Sequence, residues 1–347
     1  MKLFSWAATR PHARPLNLAL QGGGAHGAFT WGVLDALLQQ PALAFEGLSG
    51  SSAGAINAAV VADGWMKGGR EGARQALADF WTAVGAQIPA AMVTTQGDPQ
   101  NMRLSLPAQW IASWAGHFSP SQWNPLDLNP LRDLLARQID FDGLRAHSPF
   151  KLFIGTTRAN TAQLRVFRET ELTLDVLLAS ACLPKLHHPI EIDGEPYWDG
   201  GYSANPAVFP LFYDCDSADV LLVLLAPLAR EGDLTRLEDI EARIAELAFT
   251  ASFMREMRMF VRATQYTRAA SWMGFGRLER RLRALRFHMI DTGGVAALQR
   301  PETRLLAHGP FLQRLCEQGR ERATAWVAEH LQAVGRRGSL DIAKQFG

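Results

Sequence analysis

Two short apolar runs, each closed by small residues and each followed by a helical pattern, constrain this chain more than anything else in it. Residues 16–21 (LNLALQ) run into Gly22-Gly23-Gly24, and Phe29, Val33, Leu34, Leu37 and Leu38 then share one helix face. Residues 45–49 read as a second strand, and residues 53–62 as a helix of small side chains. Strand, glycine loop, helix, strand, tight turn, helix is the alternation of a parallel α/β sheet. Further strands are expected at 152–157, 164–167, Ile190–Ile192, 220–226 and 285–290, and helices at 69–83, 130–137, 174–179, 240–272 and 311–331.

With 48% apolar residues over 347 positions, the chain can bury a sizeable core. Its 35 basic and 34 acidic residues leave a net charge of +1, so no global field draws nucleic acid. Cys182, Cys215 and Cys316 are far apart and form no metal or disulfide pattern; neither a metal nor a calcium loop is expected. The start MKLFSWAATRPHARP lacks an apolar stretch of signal length, and no run spans a membrane, so the expected address is the cytoplasm.

Gly22-Gly23-Gly24-Ala25-His26-Gly27 satisfies GxGxxG between strand and helix. As a dinucleotide site it would need an acid at the end of the second strand, but Leu48-Ser49-Gly50 holds none and Glu46 lies at the strand's start. Gly50-Ser51-Ser52-Ala53-Gly54 stands there instead, a GxSxG turn between strand and helix, the frame of a nucleophile elbow. Ser52 is then the nucleophile, with Gly50, Ala53 and Gly54 as the small neighbours that let strand and helix approach. The glycine loop becomes an oxyanion hole built from Gly22, Gly23, Gly24 and Gly27, the free N–H groups of Gly23 and Gly24 acting as donors.

A serine needs a base. A Ser–Asp–His triad would use Ser52, Asp199 and a late histidine such as His288 or His308. The elbow comes after only two strands, too early for that layout, and His288 lies within the run RFHMI. Asp199 in Tyr197-Trp198-Asp199-Gly200-Gly201 is the stronger candidate, although a lone DGG also reads as an ordinary β-turn.

GGGxxG, GxSxG and DGG, in that order, together resemble the patatin-like phospholipase family. Ala179-Ser180-Ala181-Cys182-Leu183-Pro184 is similar to the family's segment before its DGG turn, and the resemblance covers roughly residues 16–210. It implies a three-layer α/β/α sandwich with a mostly parallel central sheet, and a lipid acyl hydrolase working through a Ser52–Asp199 dyad without histidine, metal or cofactor. Gly200 and Gly201 support the acid. His26 stands where many relatives carry Arg or Lys, and His187-His188 where aromatic and Pro residues are common. The implied partners are a phospholipid or another acyl ester, with a peripheral membrane contact and a homodimer both left open.

On this reading residues 16–213 form the catalytic unit. Residues 214–335 form a helix-rich α/β extension on the same sheet, and 1–15 and 336–347 are loose tails. Residues 97–129 are an excursion in which Trp110, Trp114, Phe118 and Trp123 read as a core cap or an interfacial contact. Arg277, Arg280, Arg281, Arg283 and Arg286 read as a solvated face paired with Glu256 or Glu279, or as a headgroup site. The Met/Phe stripe before them (Phe249, Phe253, Met254, Met257, Phe260) reads as core or a dimer seam. A triad esterase, a nucleotide-binding oxidoreductase and a catalytically silent membrane scaffold are the rival readings.

Overall fold

The computed structural model describes residues 13–87, 93–94, 103–105, 120–124, 127–229, 235–269 and 276–347. The alternation at the start of the chain becomes β1 (Arg14–Leu20), α1 (Gly27–Leu38), β2 (Leu43–Ser51) and α2 (Ala53–Gly85). β1 and β2 are parallel, with Leu18 opposite Leu48 and Leu20 opposite Gly50. Next come β3 (Lys151–Arg158), β4 (Leu164–Arg168), β5 (Ile190–Ile192), β6 (Glu195–Asp199), β7 (Asp219–Val223) and β8 (Arg286–Ile290). The order across the eight-stranded sheet is β8-β7-β1-β2-β3-β6-β5, with β4 also paired to β3. From β8 to β3 every pairing is parallel. β4, β5 and β6 join antiparallel, so the sheet is mixed and parallel through its centre. Within this sheet, β6 is the strand that the sequence reading lacks.

Side chains alternate across each strand, and this divides the core in two. Leu18, Leu20, Leu48, Leu221 and Val223 face one layer, which holds α1, α2 and α7 (Gly309–His330). Ala19, Phe153, Val220, Leu222 and Phe287 face the other, built from α4 (Phe209–Asp214), α5 (Leu237–Ala269) and α8 (Ile342–Phe346). Between them in sequence lie α3 (Leu174–Ser180) and α6 (Arg277–Ala284). The expected three layers are present. α2 breaks at Gly68 and Gly69, the latter at φ +61°, and its second half folds back until the Trp81 ring reaches Gly27.

The C-terminal residues correct the sequence reading: 336–347 are not a loose tail. Ser339 and Leu340 donate N–H bonds of 3.1 and 3.0 Å to the Phe287 carbonyl, which covers part of the outer edge of β8. Asp341 caps α8 by accepting from Ala343 and Lys344. Phe346, only 2% exposed, meets the Phe253 ring edge-on at 5.8 Å. Arg14 and Pro15, also assigned to a tail, open β1. Trp110, Trp114 and Phe118 lie outside the described residues, as does the Trp123 side chain.

Candidate active site

β2 delivers Ser52 in a conformation that few side chains adopt. Its φ is +55° and ψ −128°, an arrangement that costs about 1–3 kcal/mol and persists only when its surroundings hold it. They do so through the backbone. The Ser52 N–H donates to both the carbonyl and the hydroxyl oxygen of Ser180, each at 3.0 Å. Ser180 Oγ in turn donates to the Gly155 carbonyl at 2.7 Å. The Ser52 carbonyl accepts the Ile56 N–H in the first turn of α2, while its hydroxyl makes no cap bond there. Gly50 and Gly54 flank the turn, and Ala53 begins α2 against Gly27.

Asp199 arrives from the opposite direction. Ser51 pairs with Gly155 of β3, and the next β3 residue, Thr156, pairs with Asp199 of β6. β4 occupies the other edge of β3, so β2 and β6 stop end to end along one edge. The Asp199 N–H donates to the Cys182 carbonyl at 2.8 Å, and Thr157 Oγ1 donates to the Asp199 carbonyl at 2.8 Å. Its Oδ1 accepts the Gly201 N–H at 2.7 Å, inside the turn Gly200–Tyr202. Oδ2 has no conventional hydrogen-bond partner among the described residues. The carboxyl is fully buried, and burial pushes its pKa up to about 7, against the lowering influence of the Gly201 amide and the neighbouring Ser52 hydroxyl.

The glycine loop runs beside Ser52: a Cβ on Gly22 would stand 2.7 Å from the Ser52 Cβ. Here the four glycines separate. The Gly22 N–H donates to Asn205 Oδ1 at 2.7 Å, and the Gly27 N–H closes a tight turn on Gly24 and Ala25. Neither N–H is left to face a ligand. The N–H groups of Gly23 and Gly24 have no acceptor among the described residues. Gly24 is obligatory on two counts, a φ of +59° and an Arg304 carbonyl 2.4 Å from where a Cβ would lie. The loop's approach is fixed by Gln21, whose Oε1 accepts the Leu225 and Ala226 N–H groups. Its Nε2 donates to the Asn205 carbonyl at 3.3 Å. Ser180, Asn205 and Gln21 thus hold the site together, yet the sequence marks only Ser180, and only as part of a motif.

The histidines lie elsewhere. Among the described residues no histidine ring is hydrogen-bonded to Ser52 or Asp199. His26 is fully buried and meets Thr303 Oγ1 at 2.7 Å through Nε2. Thr303 sends its own proton to backbone carbonyls, so Nε2 is the donor. Burial, then the nearby Arg304, hold the His26 pKa down to about 3, and the ring is neutral at ordinary pH. His288 bonds through its two nitrogens to Ser339 Oγ and Asp219 Oδ1. It lies on β8, three strand spacings from β2, or about 14 Å. His188 reaches the Asn124 carbonyl at 3.3 Å, and burial lowers the pKa of His187. His308 is the residue before α7.

The remaining candidates have structural partners. Glu46 accepts the Asp216 and Ser217 N–H groups and binds Lys151. Cys182, Cys215 and Cys316 are buried free thiols, each pushed up by burial. The five arginines after α5 do not act as one patch: Arg281 donates to the Phe212 and Cys215 carbonyls, Arg283 to Thr267, and Arg286 pairs with Asp219 at 2.7 Å. Glu256 binds none of them; it accepts the Val208 and Phe209 N–H groups at the start of α4. Two clefts of about 260 and 450 Å³ adjoin Ala284 and Leu285, at the strand ends remote from Ser52.

The solved structure of VipD from Legionella pneumophila is similar over 93% of this chain and 68% of that one, at 16% identity and a TM-score of 0.41. No curated protein matches the chain. The patatin-like phospholipase model matches residues 18–212, a stretch that holds the glycine loop, Ser52 and the Asp199 turn. The chain belongs to the patatin-like phospholipase family, a family of lipid acyl hydrolases.

Proposed function

We propose that this protein hydrolyses acyl esters of lipids with Ser52 as nucleophile and Asp199 as its base. One observation carries the reading: a fully buried carboxylate with one open oxygen neighbours the hydroxyl of a serine held at positive φ. An ordinary exposed carboxylate, near pKa ~3.9, is a weak base. A carboxyl at about 7 is far better matched to accepting a proton at neutral pH.

Asp199 Oδ2 takes the hydroxyl proton as Ser52 Oγ bonds to the ester carbonyl carbon. The carbonyl electrons move onto oxygen, and the N–H groups of Gly23 and Gly24 face that charge, with the positive end of α2 behind it. Collapse breaks the ester C–O bond, and Asp199 returns the proton to the departing alcohol. A water then gives its proton to Asp199 while its oxygen attacks the acyl carbon. Breaking the acyl–Oγ bond restores the Ser52 hydroxyl with that proton and releases a carboxylic acid. His26, neutral and bonded to Thr303, contributes no fixed charge to the oxyanion.

The test compares wild type, Ser52→Ala and Asp199→Asn in hydrolysis of a short-chain chromogenic ester with chelator present. Turnover by wild type alone, with both variants folded, is the expected result. Near wild-type turnover by Asp199→Asn would contradict the assignment of the base, and an inert wild type would favour the silent scaffold.

A further inference from the structure

α5 carries two different faces. Phe253, Met257, Phe260 and Val261 point into the second core. The opposite face is exposed and changes character along its length. In its first half it presents Leu237, Ile240, Ile244 and Leu247, with Leu237 69% and Ile244 62% exposed. The spacing of three and four residues keeps them on one line. Continued through Ala251, the same line meets Arg255, Arg258 and Arg262, all exposed. None of these three has an ion-pair or hydrogen-bond partner among the described residues. From Leu237 to Arg262 the stripe runs about 38 Å.

The inward face of the first half of α5 adjoins the candidate active site through Phe249. A Cβ on Gly201 would meet the Phe249 ring at 2.3 Å, and the Tyr202 and Phe249 rings lie 4.6 Å apart. Gly201 is the residue that binds Asp199 Oδ1. Phe249 lies on the protein-facing side of α5, so a surface seated on the stripe is separated from the Asp199 turn by the width of the helix.

We propose that the exposed face of α5 docks on an anionic lipid bilayer, the apolar half entering the interface and Arg255, Arg258 and Arg262 binding headgroup phosphates. The proposal rests on the reading of the chain as a lipid acyl hydrolase and adds how it reaches its substrate. An apolar line continued by unpaired guanidinium groups matches a bilayer surface, apolar inside and anionic outside. It does not match a second copy of itself. A two-fold interface must be self-complementary; antiparallel pairing would set three arginines against Leu and Ile, and parallel pairing would set arginine against arginine. Glu241 is exposed nearby, while Glu246 is buried against Arg243.

The test is cosedimentation with vesicles of equal parts phosphatidylcholine and phosphatidylglycerol, and with phosphatidylcholine alone. Wild type is expected to bind the mixed vesicles more tightly, and less so as salt rises. Ile244→Glu should weaken binding to either vesicle by about tenfold or more. Arg258→Ala/Arg262→Ala should reduce binding to the mixed vesicles to the level seen with phosphatidylcholine. Both variants should hydrolyse a soluble ester at the wild-type rate, and Ser52→Ala should bind vesicles as wild type does. Vesicle binding unchanged in both surface variants, or a dimer that Ile244→Glu converts to monomer, would overturn the proposal. Ile244-dependent vesicle binding by a wild type that cleaves no ester would leave the docking face standing and remove the hydrolase reading. Ester hydrolysis without vesicle binding would do the reverse.

Discussion

Ser52 and Asp199 meet because β2 and β6 run in opposite directions into the same edge of β3, Ser51 opposite Gly155 and Asp199 opposite Thr156. The neighbouring β3 residues thus set the separation of the two loops. Ser180, bonded to both Gly155 and Ser52, ties the nucleophile's backbone to that shared ruler.

The strain at Ser52 gives a stability prediction opposite in sign to the activity prediction. At φ +55° a glycine would sit without penalty, so Ser52→Gly should raise unfolding stability by about 1 kcal/mol or more while abolishing turnover. Urea unfolding measures the first effect and ester hydrolysis the second.

Asp199 and Glu256 each have a pKa raised to about 7, in both cases chiefly by burial. An unfolded carboxyl titrates near ~4, so between about pH 4 and 7 the folded protein holds protons that the unfolded chain has released. Their contribution is full below about pH 4 and is lost as pH rises to about 7, so unfolding stability should decline across that window. Asp199→Asn and Glu256→Gln should each flatten the slope. Activity should run the other way, rising through about pH 7 as Asp199 ionises; that limb should survive in Glu256→Gln.

Asn205 holds the glycine loop by accepting the Gly22 N–H at 2.7 Å. Asn205→Ala leaves that amide without its partner, and should cost about 1–3 kcal/mol of stability. It should also lower kcat by roughly tenfold or more as the loop drifts from Ser52. Asn205→Asp, which keeps an acceptor oxygen in place, should recover part of both.

Phe346 tests the folded tail. Its ring is buried against Phe253, so Phe346→Ala should destabilise by about 3–5 kcal/mol. Lys344→Ala, at an exposed position of the same short helix, should change stability little.

What the sequence discloses follows from what local chemistry demands. The motifs around Gly24, Ser52 and Gly201 are legible because a positive φ, a strand-to-helix turn and a tight turn after an acid each restrict residue choice at fixed spacing. Asn205 and Gln21 are not, since their bonds to Gly22, Leu225 and Ala226 link segments far apart and leave no period. Adjacency in sequence also misleads on α6 and the start of β8. Arg277 and Arg281 lie close together in the chain, yet one is exposed and the other is bonded to the Phe212 and Cys215 carbonyls. The two faces of α5 are hidden for a related reason. Its core-facing Phe and Met residues dominate the pattern, and only the packing of the sheet shows that Ile240 and Ile244 are left outside.

The dyad is tested most directly by mass spectrometry of the intact protein after reaction with a fluorophosphonate, followed by peptide mapping. The account predicts a single adduct on Ser52, forming faster as pH rises through about 7, absent in Ser52→Ala and strongly slowed in Asp199→Asn. An adduct on another serine, or labelling of Asp199→Asn at the wild-type rate and pH profile, would contradict it.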